Sequence, residues 1–152
     1  MIVRIFATTA LLLCAACAVA PPSADDGTGL RPCPGTFNCV SSLERDPTWR
    51  VDPLPLRGSA AEGLAAVRQV VLAMPRSRIV AEGPGFLHAE FRSRVFRFVD
   101  DVDFFVDEPA GVINVRSAAR LGSSDFGVNR RRVEEIRERL MSRQSPAADG
   151  NR

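Results

Sequence analysis

Apolar residues recur along this chain with two different periods, and the change of period marks its elements. Leu64, Val67, Val71 and Met74 fall on one face of a helix. Ser59 starts it with Glu62 three residues on, a capping-box pattern, and Pro75 stops it. That stripe is core. Gly63 in the first turn weakens the helix. From Arg78 the period becomes two: Ile79 and Val80 lead through Gly83-Pro84-Gly85 to residues 86–91, which predicts a hairpin. Arg92-Ser93-Arg94 is the next connection, and residues 95–99 and 102–106 read as strand-like runs separated by Asp100 and Asp101. After a turn at residues 107–111, Val112, Ile113 and Val115 form the last strand, with Asn114 and Arg116 on its other side. Val133, Ile136 and Leu140 return to helical spacing, with Asn129 as N-cap and Glu135 set for an i,i+4 pair with Arg139. Upstream, residues 49–52 read as a short extended segment that Pro53 and Pro55 confine to an edge. The order predicts an α+β fold: a small antiparallel sheet with two helices packed on one face.

The start of the chain follows a different pattern. A basic residue, Arg4, precedes an apolar run over residues 5–16, too short for the roughly twenty apolar residues a spanning helix needs. The run ends in Leu13-Cys14-Ala15-Ala16-Cys17, similar to a bacterial lipobox with Cys17 as the lipidated residue and Cys14 where an aliphatic residue is usual. The expected division is a signal peptide of lipoprotein type over residues 1–17, a flexible tether over 18–32, one domain over 33–142 and a disordered tail over 143–152. The expected location is the cell envelope, with the chain held to a membrane by its lipid and facing the periplasm or exterior. The alternative is a soluble secreted protein, cut after Ala18-Val19-Ala20.

Composition adds three constraints. With 45% apolar and 25% charged residues the chain is an ordinary globular one. Its basic and acidic groups nearly balance, 20 against 18, so bulk charge offers no case for nucleic acid. Every basic side chain is arginine, a bias that GC-rich coding explains but that still makes each cation a planar, forked donor. Cys33 and Cys39 enclose a turn-rich loop. In an oxidising compartment a disulfide is the favoured reading, ahead of zinc, which lacks further ligands, and of a redox pair, whose spacing differs. Nothing points to a cofactor or metal.

Residues 114–132 carry the densest polar chemistry. Arg116, Ser117, Arg120, Asp125, Asn129 and Arg130 lie among glycines and small residues beside a helix N-terminus, surroundings that favour phosphate or carboxylate. The competing reading pairs these arginines with Asp100, Asp101 and Asp103, pinning the connection to neighbouring strands. The function expected is a non-enzymatic envelope module binding an anionic small molecule or a protein partner. The alternative is a hydrolase or transferase using Asp100, Asp101 or Asp125, with arginines stabilising negative charge. His88, alternating with Leu87 on a strand, is read as a surface or half-buried residue and not as a base.

Several blocks together carry a family resemblance. Cys33-Pro34, Asn38-Cys39-Val40-Ser41-Ser42, Phe98-Val99-Asp100-Asp101-Val102, Arg116-Ser117-Ala118-Ala119-Arg120 and residues 124–132 resemble domain-of-unknown-function family 1499. The resemblance spans residue 33 to about residue 140 and implies a bacterial, often envelope-associated domain with no established reaction. Ser123 stands where the family often has an aromatic residue.

Overall fold

The computed structural model describes residues 29–144. The signal segment, Cys17, most of the tether and the end of the tail lie outside these residues. Six strands and two helices follow in the order β1 (Cys39–Ser41), β2 (Leu54–Pro55), α1 (Ala60–Leu72), β3 (Ser77–Gly83), β4 (Phe86–Arg92), β5 (Val99–Asp107), β6 (Val112–Ala119) and α2 (Val128–Gln144). All pair antiparallel in one sheet, ordered β1-β6-β5-β4-β3, with β2 also on β6. The class is α+β, with sheet predominating.

Local chemistry accounts for the elements. Ser59 accepts from the Glu62 backbone N–H, and the Glu62 carboxylate accepts from the Ser59 backbone, so the expected capping box is present. Gly63 is there for space: a Cβ at this position would collide with the Leu56 side chain. The β3–β4 hairpin turns through Gly85, whose φ of 80° suits glycine. Leu87, Ala89 and Phe91 of β4, Val102 and Phe104 of β5, and Ile113 and Val115 of β6 join Leu64, Val67, Val70, Val71, Val133, Ile136 and Leu140 in one buried cluster. Of the strand residues between these positions, His88, Glu90 and Asp103 lie charged on the sheet's other side, with the neutral Asn114.

Four expectations change. Residues 95–98 are not strand: β4 and β5 pair from Arg92 opposite Val99, leaving Val95, Phe96 and Phe98 exposed in the connection. Asp100 and Asp101 consequently sit inside β5. The edge strand is residues 54–55 and not 49–52, although Arg50 forms an isolated bridge to Ser41. Asn129 is not the N-cap of α2. It lies within the first turn, fully buried, and the Asp125 carboxylate instead accepts from the backbone N–H groups of Gly127 at 2.9 Å and Asn129 at 2.6 Å. Two residues read as tether also pack on the domain. Leu30 is buried, and a Cβ on Gly29 would collide with the Phe105 ring.

Candidate functional site

Strand register brings together charged groups that are distant in sequence. On the sheet's outer side His88 faces Asp103, Glu90 faces Asp101, and Asp103 in turn faces Arg116. His88 is clamped at both ring nitrogens, with Nδ1 2.5 Å from Asp103 and Nε2 3.3 Å from Asp101. Bonds to Asp101 and to Asp103 raise its pKa to about 9 against the cost of burial, so it is an imidazolium at neutral pH. Burial pushes the Asp101 carboxyl upward, but His88 and Arg120 outweigh it and hold the group below the ordinary carboxylate range. Glu90 is lowered in the same way: burial raises it, while Arg78 and Arg120 pull it down further. Arg120 forks onto Asp101 with bonds of 2.9 and 2.7 Å and reaches Glu90 at 2.6 Å, which raises its own pKa. A histidine held at both nitrogens by carboxylates has no free lone pair to act as a base.

Arg116 is the least satisfied member of this cluster. Its side chain is 8% exposed and its nearest carboxylate oxygen, on Asp103, is 3.7 Å away, beyond hydrogen-bond length. Its Nε is buried with no partner among the described residues. Desolvation lowers its pKa, opposed by Asp103, while nearby Arg31 lowers it further.

The core side holds a second network, and it is closed. Arg132 pairs with Asp100 and donates to Ser117 Oγ at 3.0 Å and Asn129 Oδ1 at 2.5 Å. Ser117 Oγ–H donates to Asn129 Oδ1, and Asn129 Nδ2 donates to the Asn38 carbonyl and to Asp125. Arg130 donates to the backbone carbonyls of Arg50, Thr48 and Pro47. This network ties the β6–α2 connection to the segments before α1. Cys33 and Cys39 form a pair at disulfide distance beside it, with Sγ atoms 2.10 Å apart.

Beyond Arg132 a cleft of about 390 Å³ opens between the β4–β5 connection and the start of α2. Five arginines line it, Arg76, Arg92, Arg94, Arg131 and Arg132, against two carboxylates, Asp100 and Glu135. Both carboxylates are engaged, Asp100 by Arg132 and Glu135 by Arg139. Arg131 donates to the Phe126 carbonyl, and Arg76 Nε donates to that of Arg92. The guanidinium groups of Arg92 and Arg94 have no hydrogen bond or ion pair among the described residues. Met74 and Phe91 supply an apolar wall, and the Arg132 guanidinium lies 4.8 Å from the Phe91 ring centroid.

The residues singled out in the sequence are therefore divided among three places. Arg116, Arg120, Asp101 and Asp103 share the outer cluster with Glu90, Arg78 and His88. Ser117, Asp125, Asn129 and Asp100 belong to the core-side network, while Arg130 reaches the segment before α1. Asp100, Asp101 and Asp125 do not converge on a common point. Sequence reasoning passed over Glu90 and gave no role to Arg76, Arg92 and Arg94 of the cleft, although Arg131 and Arg132 fell within the segment it singled out. A signal existed for Arg92 and Arg94, because residues 91–99 hold three arginines among mostly apolar side chains and contain no acid.

An antiparallel sheet domain with two ion networks and one arginine-lined cleft is the class that fold and site define. The chain belongs to the family described as Protein of unknown function (DUF1499), whose model matches residues 29–140. No curated protein matches it.

Proposed function

We propose that this protein is a binding module of the cell envelope that takes an anionic, phosphate-bearing ligand in the cleft between the β4–β5 connection and α2. One observation carries the reading: Arg92 and Arg94 line a cavity beside three further arginines, with no carboxylate partner of their own among the described residues. Guanidinium forks and the N-terminal end of a 17-residue helix are both favourable to phosphate. The apolar wall of Met74 and Phe91 suits a ligand whose anion is joined to a hydrocarbon part. Both helices, in this reading, cover one face of the sheet, which accounts for their sharing an apolar cluster with alternate strand residues. Export through the N-terminal signal and a lipid on Cys17 would hold the module at a membrane.

The test is a nuclear magnetic resonance titration with glycerol phosphate and with inorganic phosphate. Shifts confined to Arg92, Arg94 and Arg131, and lost in the Arg92→Ala, Arg94→Ala double variant, are expected. Shifts spread evenly over surface arginines would remove the reading. Arg116 supports a second placement of the anion, because its buried Nε has no partner among the described residues. Binding that survives the double variant and is lost in Arg116→Lys would select it.

A further inference from the structure

The β4–β5 connection, which follows Arg92 at the end of β4 and supplies Arg94, also displays a set of apolar side chains. Phe96 is 75% exposed and Phe98 50% exposed, their rings stacked with centroids 5.5 Å apart. Arg97 stands between them with a φ of 57°, and no acidic residue occurs from Phe91 to Val99. Across the cleft, Phe126 is 89% exposed at the entry to α2. The two connections are tied where the Arg120 backbone N–H donates to the Val99 carbonyl, so they leave the same end of the sheet. Exposed apolar side chains rimmed by charge of one sign mark an interaction surface.

We propose that this end of the sheet docks on an anionic phospholipid bilayer, with Phe96 and Phe98 entering the interface while Arg92, Arg94 and Arg97 meet headgroup phosphates. The inference rests on the cleft as an anion site and names the source of the anion. Two features favour a bilayer over a protein partner. The phenylalanines project from a connection instead of lining a pocket, so they need a deformable medium and not a shaped complement. The surrounding cations have no fixed carboxylate pattern to match and are suited to a fluid layer of phosphates.

The experiment uses the complete chain on vesicles and reads position, since the apolar run over residues 5–16 would itself bring the chain to lipid. Phe96→Trp is made in a Trp49→Phe background, giving one indole at the proposed contact. Ala110→Trp in the same background places the indole in the turn at the opposite end of the sheet. On vesicles of phosphatidylcholine with chain-brominated phosphatidylglycerol, the indole at position 96 is expected to be quenched and that at 110 not. Adding Arg92→Ala or Arg94→Ala should weaken the docked population roughly fivefold for each arginine. Equal quenching at both positions, no quenching at 96, or unchanged quenching on brominated phosphatidylcholine alone would overturn the proposal. Glycerol phosphate binding with an unquenched indole at 96 would leave the cleft and remove the bilayer. Absence of both would remove both.

Discussion

The outer cluster and the cleft are built from the same side chain, and they use it in opposite ways. On the outer side Glu90, Asp101 and Asp103 meet Arg78, Arg116, Arg120 and His88, and most charges are neutralised within the sheet. In the cleft the acids are already engaged and Arg92 and Arg94 are left over. An ion network paired at all but one of its cations, Arg116, holds strands together and offers little to a ligand elsewhere, whereas a surplus of one sign is repelled internally until something arrives to neutralise it. Arginine content alone therefore says nothing about binding; the local balance of partners does.

The largest effect on the fold is expected at the core-side pair. Removing Arg132 strands the buried Asp100 carboxylate, so Arg132→Ala should cost about 3–5 kcal/mol in urea denaturation. A loss no larger than for an exposed arginine would show that the pair does not hold the fold.

The outer cluster has its own control, pH. The folded pKa of His88, about 9, lies above its ordinary value of 6.5. Its stabilisation is therefore complete below pH 6.5 and is lost as pH rises through about 9. The loss should be roughly 3 kcal/mol at 1.36 kcal/mol per unit. With one histidine and neither tyrosine nor lysine in the chain, few other groups titrate in that window. Stability in His88→Gln should be nearly flat over the same range. An equal alkaline loss in the variant would place the titration elsewhere.

Smaller effects sharpen the contrast. Cys33→Ser opens a short loop and should cost about 2 kcal/mol, measured under non-reducing conditions. The Arg92→Ala, Arg94→Ala double variant should alter stability by no more than about 0.5 kcal/mol, because these guanidinium groups have no partner among the described residues to lose. Its affinity for glycerol phosphate should nonetheless fall roughly tenfold.

Helix α1 and the β3–β4 hairpin were legible because their signals are local: Ser59 and Glu62 make the cap, and Gly83-Pro84-Gly85 makes the turn. The β4–β5 connection was not. Val95, Phe96 and Phe98 have the composition of a strand, and only the pairing of Arg92 with Val99 shows that they are left outside it. The outer cluster was half legible, since pairing of the arginines with the aspartates was the competing reading of that segment. Glu90 was not foreseen, because period two places a residue on a side of the sheet but does not say which residue of the next strand stands opposite. Asp100 and Asp101 were grouped as one acidic run, yet neighbours in a strand point to opposite sides, and each serves a different network.

That split has a consequence for how the chain finds its alignment. If β5 slid by one position against its neighbours, Asp101 and Asp103 would turn into the apolar interior and Val102 and Phe104 would turn outward. Most strands are guarded against such an error on one side only. Here Asp100 must meet Arg132 while Asp101 meets Arg120, so the two sides act as a lock with two keyways that a single alignment opens.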